Sequence, residues 1–159
     1  MCKAENLVTS IKVDIDAPAS LVWDILVDLA RYPDWNPYTV RVESTLRLGE
    51  PVNLFLPDPA RPGQYIHAPE ILVAFEPQRL LSWEMRPTAQ SKDAARRDQY
   101  IESLSKDRCR YFTTDTFLGL NADVIMRNHG PWVKQGFDAV ASSLKKRAEW
   151  LWVSRRGSN

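Results

Sequence analysis

The sequence predicts one α+β domain. A curved antiparallel sheet of about six to seven strands wraps a single long C-terminal helix, with two short helices after the first strand. Three observations lead there. Between Thr39 and Leu118, apolar and polar residues alternate in short runs separated by turn residues, which is the period of half-buried strands. After Gly130-Pro131 the period changes to three and four residues and stays there to Leu151. The chain has 159 residues, 44% hydrophobic and 26% charged, which suits one ordinary domain with its own core.

The elements follow in order. Leu7 to Asp16 alternates, with Val8, Ile11, Val13 and Ile15 against Lys12, Asp14 and Asp16, and predicts the first strand. Ala17-Pro18 ends it and starts a helix, since proline is tolerated where the N–H has no partner. Leu21, Val22, Ile25, Leu26 and Leu29 form that helix's apolar stripe. Arg31 to Tyr38 holds two prolines around Trp35 and predicts a rigid turn or a broken second helix. Strands are expected over Thr39–Leu46, Val52–Leu56, Tyr65–Phe75, Arg79–Arg86, Tyr100–Leu104 and Arg108–Leu118. The proline-rich segment from Pro57 to Gly63 and the polar segment from Thr88 to Asp98 are expected as loops, the latter mobile. The final helix is expected to open at Gly130-Pro131, with Val133, Phe137, Val140, Leu144, Ala148 and Leu151 on its apolar face. The tail from Ser154 is expected to be disordered. The whole chain reads as a single domain, with an ordered core from about Leu7 to Val153.

Composition removes several classes. A net charge of +1 gives no field to draw the chain to nucleic acid, and the pairs Arg96-Arg97 and Arg155-Arg156 read as solvated surface. No run approaches the roughly 18 apolar residues of a membrane span. The polar start from Met1 to Asn6 lacks a signal core, so a cytoplasmic protein is expected. Cys2 and Cys109 predict no disulfide framework, and His67 and His129 match no metal spacing, so no metal and no cofactor are expected. The chain is expected as a monomer or homodimer. Six tryptophans in one domain suit a concave apolar site as well as a core.

Specific runs carry a resemblance. Ile15-Asp16-Ala17-Pro18, Val22-Trp23, Leu26-Val27-Asp28 and Tyr32-Pro33-Asp34-Trp35-Asn36-Pro37 resemble the opening of the START-like, Bet v 1-like superfamily. This is the SRPBCC group, which includes the polyketide cyclase/dehydrase-like proteins. Glu76-Pro77, Leu81-Ser82-Trp83 and Phe117-Leu118-Gly119 follow in matching order, so the resemblance spans about Leu7 to Trp152. It implies a helix-grip fold with an internal cavity for lipids, polyketides or other hydrophobic molecules. The loops Pro57–Gln64 and Pro87–Asp98 look longer than the common pattern.

The expected cavity wall is Trp35, Tyr38, Leu81, Trp83, Met85, Tyr100, Phe112, Thr114, Trp132, Phe137 and Val140. Leu81, Trp83 and Met85 share a strand face and should point inward, leaving Glu84 and Arg86 wet. His67 has a suitable proton affinity for a general base, and is otherwise an edge-strand histidine. Asn128 and His129 could line a mouth or sit solvated beside the helix start. In the last two strands both faces mix polar and apolar residues, so parity does not choose. If Tyr100, Glu102 and Arg110 face inward, burial forces them to pair and makes an acid/base site. Three functions are open. One is a binding module for a small hydrophobic molecule. The second is a cofactor-free polyketide cyclase, dehydrase or lyase. The third is an interaction protein, which requires a filled core.

Overall fold

The computed structural model describes residues 6–157. Met1 to Glu5, with Cys2, and Ser158 and Asn159 lie outside the described residues. Eight strands form one antiparallel sheet: β1 (Leu7–Thr9), β2 (Val13–Ile15), β3 (Arg41–Ser44), β4 (Pro51–Pro57), β5 (Tyr65–Glu76), β6 (Leu80–Met85), β7 (Ala94–Ser105) and β8 (Arg108–Leu118). The order across the sheet is β1-β8-β7-β6-β5-β4-β3, and β2 also pairs with β8. Three α-helices complete the chain: α1 (Ala19–Val27), α2 (Tyr32–Trp35) and α3 (Ala122–Arg156). This is a helix-grip α+β fold.

The expected first strand is two strands. It breaks at Ser10, whose backbone N–H donates to the Thr113 carbonyl at 2.9 Å and whose Oγ accepts the Thr113 N–H at 3.0 Å. Ile11 is thereby turned outward and is 43% exposed, off the inner face where alternation put it. Helix α1 buries Leu21, Val22, Trp23, Ile25 and Leu26. The Tyr32 hydroxyl donates to the Leu26 carbonyl at 2.6 Å and pins α2 beneath α1. Asn36 precedes a proline and is held extended (φ −90°, ψ 111°), which ends α2. Its Oδ1 accepts the N–H groups of Tyr38, at 3.0 Å, and Thr39, at 2.8 Å, so the two residues entering β3 are fixed.

Three boundaries differ from the expected ones, and two of them border the cavity described below. Helix α3 begins at Ala122, eight residues before the Gly130-Pro131 start that the proline suggested. Ile125, His129, Trp132 and Val133 already follow helical spacing, and Pro131 is carried inside the helix at the loss of one backbone donor. At the other end α3 runs to Arg156 rather than fraying from Ser154. Strand β7 begins at Ala94, so Arg96, Arg97 and Asp98 belong to the sheet and not to a mobile loop.

Helix α3 packs most closely on β8, β2, β1 and α1. Along its second half Val140, Ala141, Leu144 and Ala148 are fully buried against a core that includes Leu81, Trp83 and Tyr111. Along its first half the helix stands off from β4, β5 and β6, and the space between is a cavity. No helix among the described residues is long and apolar enough to cross a membrane.

Candidate functional site

The cavity measures about 270 Å³. Its wall is largely apolar: Leu54 and Leu56 from β4, Ile66 and Ala68 from β5, Trp83 and Met85 from β6, Ala95 from β7 and Phe117 from β8. Helix α3 closes it with Ile125, His129, Trp132, Val133 and Phe137, and Tyr38 and Thr39 enter from the segment before β3. Four acidic or basic side chains interrupt this wall besides His129 and the Tyr38 phenol: Glu70, Asp93, Arg97 and Asp115.

Strand parity explains how they arrive. On β5, Glu70 falls on the face of Ile66, Ala68 and Leu72. On β7, Arg97 lies between Ala95 and Gln99 on the inner face, and on β8, Asp115 lies between Thr113 and Phe117. Arg97 and Asp115 are directly opposite each other in the β7–β8 ladder. Arg97 is only 5% exposed. Its Nε donates to Thr113 Oγ1 at 3.2 Å and its Nη1 to Thr39 Oγ1 at 3.3 Å. Its Nη2 is buried with no hydrogen-bond partner. The guanidinium sits 4.4 Å from the Phe137 ring centroid and 5.5 Å from that of Trp83, so two aromatic faces offset part of the missing hydration.

The two carboxyls are half-buried and neither makes a hydrogen bond or an ion pair within 4.0 Å among the described residues. Burial pushes the Glu70 carboxyl up to about 8, with Asp115 repulsion adding to the rise and Arg97 opposing it. Burial likewise pushes Asp115 up to about 7, against the pull of Arg97. Burial also raises the Tyr38 phenol well above its ordinary value, so it stays a hydrogen-bond donor. Asp93 is different, for its Oδ1 accepts Asn121 Nδ2 at 3.0 Å. The arrangement therefore offers a fixed cation for an oxygen that becomes negative, and two carboxyls able to take or give a proton near neutral pH. No group of three or more His, Cys, Asp or Glu side chains among the described residues converges as a metal site.

The structure brings Tyr38, Trp83, Met85, Trp132, Phe137 and His129 to this cavity. It does not bring the others. Leu81 and Val140 are in the solid core beyond the cavity's end. Trp35 is buried at the far side of α3, near Arg147. Tyr100 and Phe112 stack on each other at 4.8 Å on the outer face of the sheet, and Thr114 lies on that face as well. His67 is on the outer face of β5, stacked on Phe55, with Nε2 2.9 Å from Asn53 Oδ1. Glu102 and Arg110 also face outward, where Arg110 Nε donates to Asp14 Oδ1 at 2.7 Å. The conditional pairing of Tyr100, Glu102 and Arg110 inside the protein is thus corrected. The inward set on β7 and β8 is Ala95, Arg97, Gln99 and Ile101 with Tyr111, Thr113, Asp115 and Phe117. His129 is not outside the helix but within α3, at the exposed edge of the cavity. Glu70, Arg97 and Asp115 were not among the expected site residues. Glu70 had a signal, a carboxylate breaking the apolar series Ile66, Ala68, Leu72.

The sequence profile of the family described as "Polyketide cyclase / dehydrase and lipid transport" matches residues 7–149. The chain belongs to this family. Among solved structures, the Zhui aromatase/cyclase from Streptomyces sp. R1128 is similar at 22% identity and a TM-score of 0.71, covering 90% of this chain and 93% of that one. A START superfamily protein from Mycobacterium smegmatis is similar at 17% identity and a TM-score of 0.65, with 91% and 98% covered. A point mutant of norcoclaurine synthase from Thalictrum flavum, bound to a transition-state analogue, is similar at 12% identity and a TM-score of 0.65, with 98% and 99% covered. At these identities the likeness is one of fold. No curated protein matches the chain by sequence.

Proposed function

We propose that the cavity takes a flat, mostly apolar, carbonyl-rich molecule of polyketide type and closes a ring on it by aldol condensation and loss of water. One observation carries this reading: a buried guanidinium with a free N–H and two carboxyls without partners share one apolar wall. A site that only holds grease gains nothing from such groups, because each costs desolvation that no internal partner repays.

The chemistry balances with proton transfer alone. The ionised carboxyl of Glu70 or Asp115 takes a proton from a carbon next to a carbonyl, and the electron pair moves onto oxygen as an enolate beside Arg97. The enolate carbon bonds to a second carbonyl carbon, whose oxygen receives the proton. The carboxylate then removes a second proton from the former enolate carbon and hands it to the departing hydroxyl, which leaves as water, and a C=C bond remains in the new ring. Trp83, Phe137 and Trp132 supply the flat apolar surfaces that keep the chain folded for attack.

The alternative, a carrier for a hydrophobic molecule, draws support from the largely apolar wall and from the lipid-transport members named in the family's description. Native mass spectrometry of freshly purified protein, followed by incubation with a synthetic aryl triketone, separates the two. The proposal expects a cyclised, dehydrated product and about a 10²–10⁴-fold loss of its rate in Glu70→Gln, with triketone binding retained. Saturable binding with no product above buffer overturns the enzyme and leaves the carrier.

A further inference from the structure

We infer that Tyr38, seated on the bare backbone of Gly136, limits the length of ligand the cavity accepts by closing it off from the groove behind; this rests on the cavity reading. Tyr38 and Trp132 line the cavity, and both also line a separate groove of about 360 Å³. Pro37, Pro57, Pro59 and Ala139 supply the apolar remainder of that groove. The rings of Tyr38 and Trp132 therefore form the partition between two spaces. They meet edge to face with centroids 5.3 Å apart, and Tyr38 meets Phe137 in the same way at 5.7 Å.

The partition depends on a missing side chain. A Cβ at Gly136 would lie 2.6 Å from Tyr38 Cε2 and 2.8 Å from Cγ, and closer still to Cδ2. Carbon atoms do not approach so closely, and a backbone atom in the middle of α3 has little room to retreat. Any side chain at this position thus expels the ring. The ring borders the cavity, so a shift away from the helix toward the sheet carries it into that space and reduces it. With glycine in place, the ring rests on the helix and leaves the cavity open while closing its end.

The groove's lining also specifies which tails can enter it once the ring is removed. Its acidic member, Asp58, is already satisfied: Oδ1 accepts the Ala60 N–H at 2.9 Å and Oδ2 accepts Arg61 Nε at 3.0 Å. These bonds and the Arg61 charge hold its carboxyl below the usual carboxylate range. With its one acid paired to Arg61, the groove presents prolines and Ala139 and, among the described residues, no free cation, which favours an uncharged tail.

The test is the affinity of a series of naphthyl alkyl ketones with ethyl, hexyl and decyl tails, measured by quenching of tryptophan fluorescence. In the wild-type chain affinity rises with tail length and then stalls, because Tyr38 stops the tail. In Tyr38→Ala, and to a lesser degree in Tyr38→Leu, the decyl-to-ethyl affinity ratio rises by about tenfold or more as the groove joins the cavity. Tyr38→Phe keeps the ring and the wild-type ratio. Gly136→Ala weakens the ethyl ketone by about tenfold, and adding Tyr38→Ala to it restores binding. Restoration by a second truncation is not what general damage to α3 produces. An unmoved ratio in both Tyr38→Ala and Tyr38→Leu, with normal ethyl ketone binding, overturns the gate alone. So does a double variant no better than Gly136→Ala. An ethyl ketone that fails to bind the wild-type chain defeats the cavity reading and the gate with it.

Discussion

Strands β7 and β8 carry the same residue types on both faces, and the two faces use them in opposite ways. Outside, Asp14 accepts Arg110 Nε at 2.7 Å and Arg108 Nη2 at 3.3 Å, with Glu102 3.9 Å from Arg110. These charges are paired with one another and wet. Inside, Arg97 bonds only two threonine hydroxyls and keeps its Nη2 unpaired, while Glu70 and Asp115 bond nothing among the described residues. Pairing lets a charge rest; water then does most of the remaining work and little energy is stored. A desolvated and unpaired charge retains its capacity to bind a substrate oxygen or move a proton. Within one sheet, then, a missing partner sets the proposed site groups apart better than residue type does.

The largest effect expected from this contrast is at Arg97. Arg97→Met preserves apolar volume between Phe137 and Trp83 but removes the inner cation. The turnover of an aryl triketone should fall by about 10²–10³-fold, the usual loss when a donor to a developing oxyanion is deleted. Arg110→Met removes an arginine thirteen residues later in sequence, on the outer face of the adjoining strand. It should leave turnover within about twofold. Equal losses in the two variants, with circular dichroism unchanged, would remove the distinction between the faces.

A second effect concerns pH. The Glu70 carboxyl stands at about 8 in the folded chain against an ordinary 4.5, and Asp115 at about 7 against 3.8. Across those windows the folded state holds protons that the unfolded chain has released. Stability therefore falls as pH rises through them, and the full penalty is present above the folded values. Glu70→Gln removes the larger part. Its urea midpoint should match wild type near pH 5 and exceed it near pH 9, by about 2 kcal/mol in unfolding free energy. Parallel curves for variant and wild type across this range would mean that Glu70 is not held in its neutral form.

The helix-grip architecture was legible in the sequence because alternation and helical spacing report burial directly, and the cavity followed from a sheet and one helix that cannot match along their whole length. Trp83, Met85 and Phe137 were legible for the same reason. Arg97 was not. It lies beside Arg96 after a polar segment, and nothing local distinguishes a solvated pair from one residue turned in and one turned out until the start of β7 at Ala94 is known. Asp115 was hidden differently. Its face carries Tyr111, Thr113 and Phe117, the opposite face Phe112, Thr114 and Leu118, and a stacked pair such as Tyr100–Phe112 makes an outer face look as apolar as an inner one. The face is decided by what α3 covers, a contact between distant segments.

The smallest expected effect is the most exacting for that distinction. Glu102 is 49% exposed and reaches Arg110 only at 3.9 Å, so the bond is long and water competes for both groups. Glu102→Gln should leave ketone affinity and triketone turnover within about twofold of wild type and the urea midpoint nearly unmoved. The same substitution at Glu70, of the same residue type, should abolish most of the turnover. If Glu102→Gln instead reduces turnover tenfold or more while Glu70→Gln does not, the reacting molecule sits on the outer surface of the sheet. The unpaired groups inside would then be a structural cost without a catalytic return.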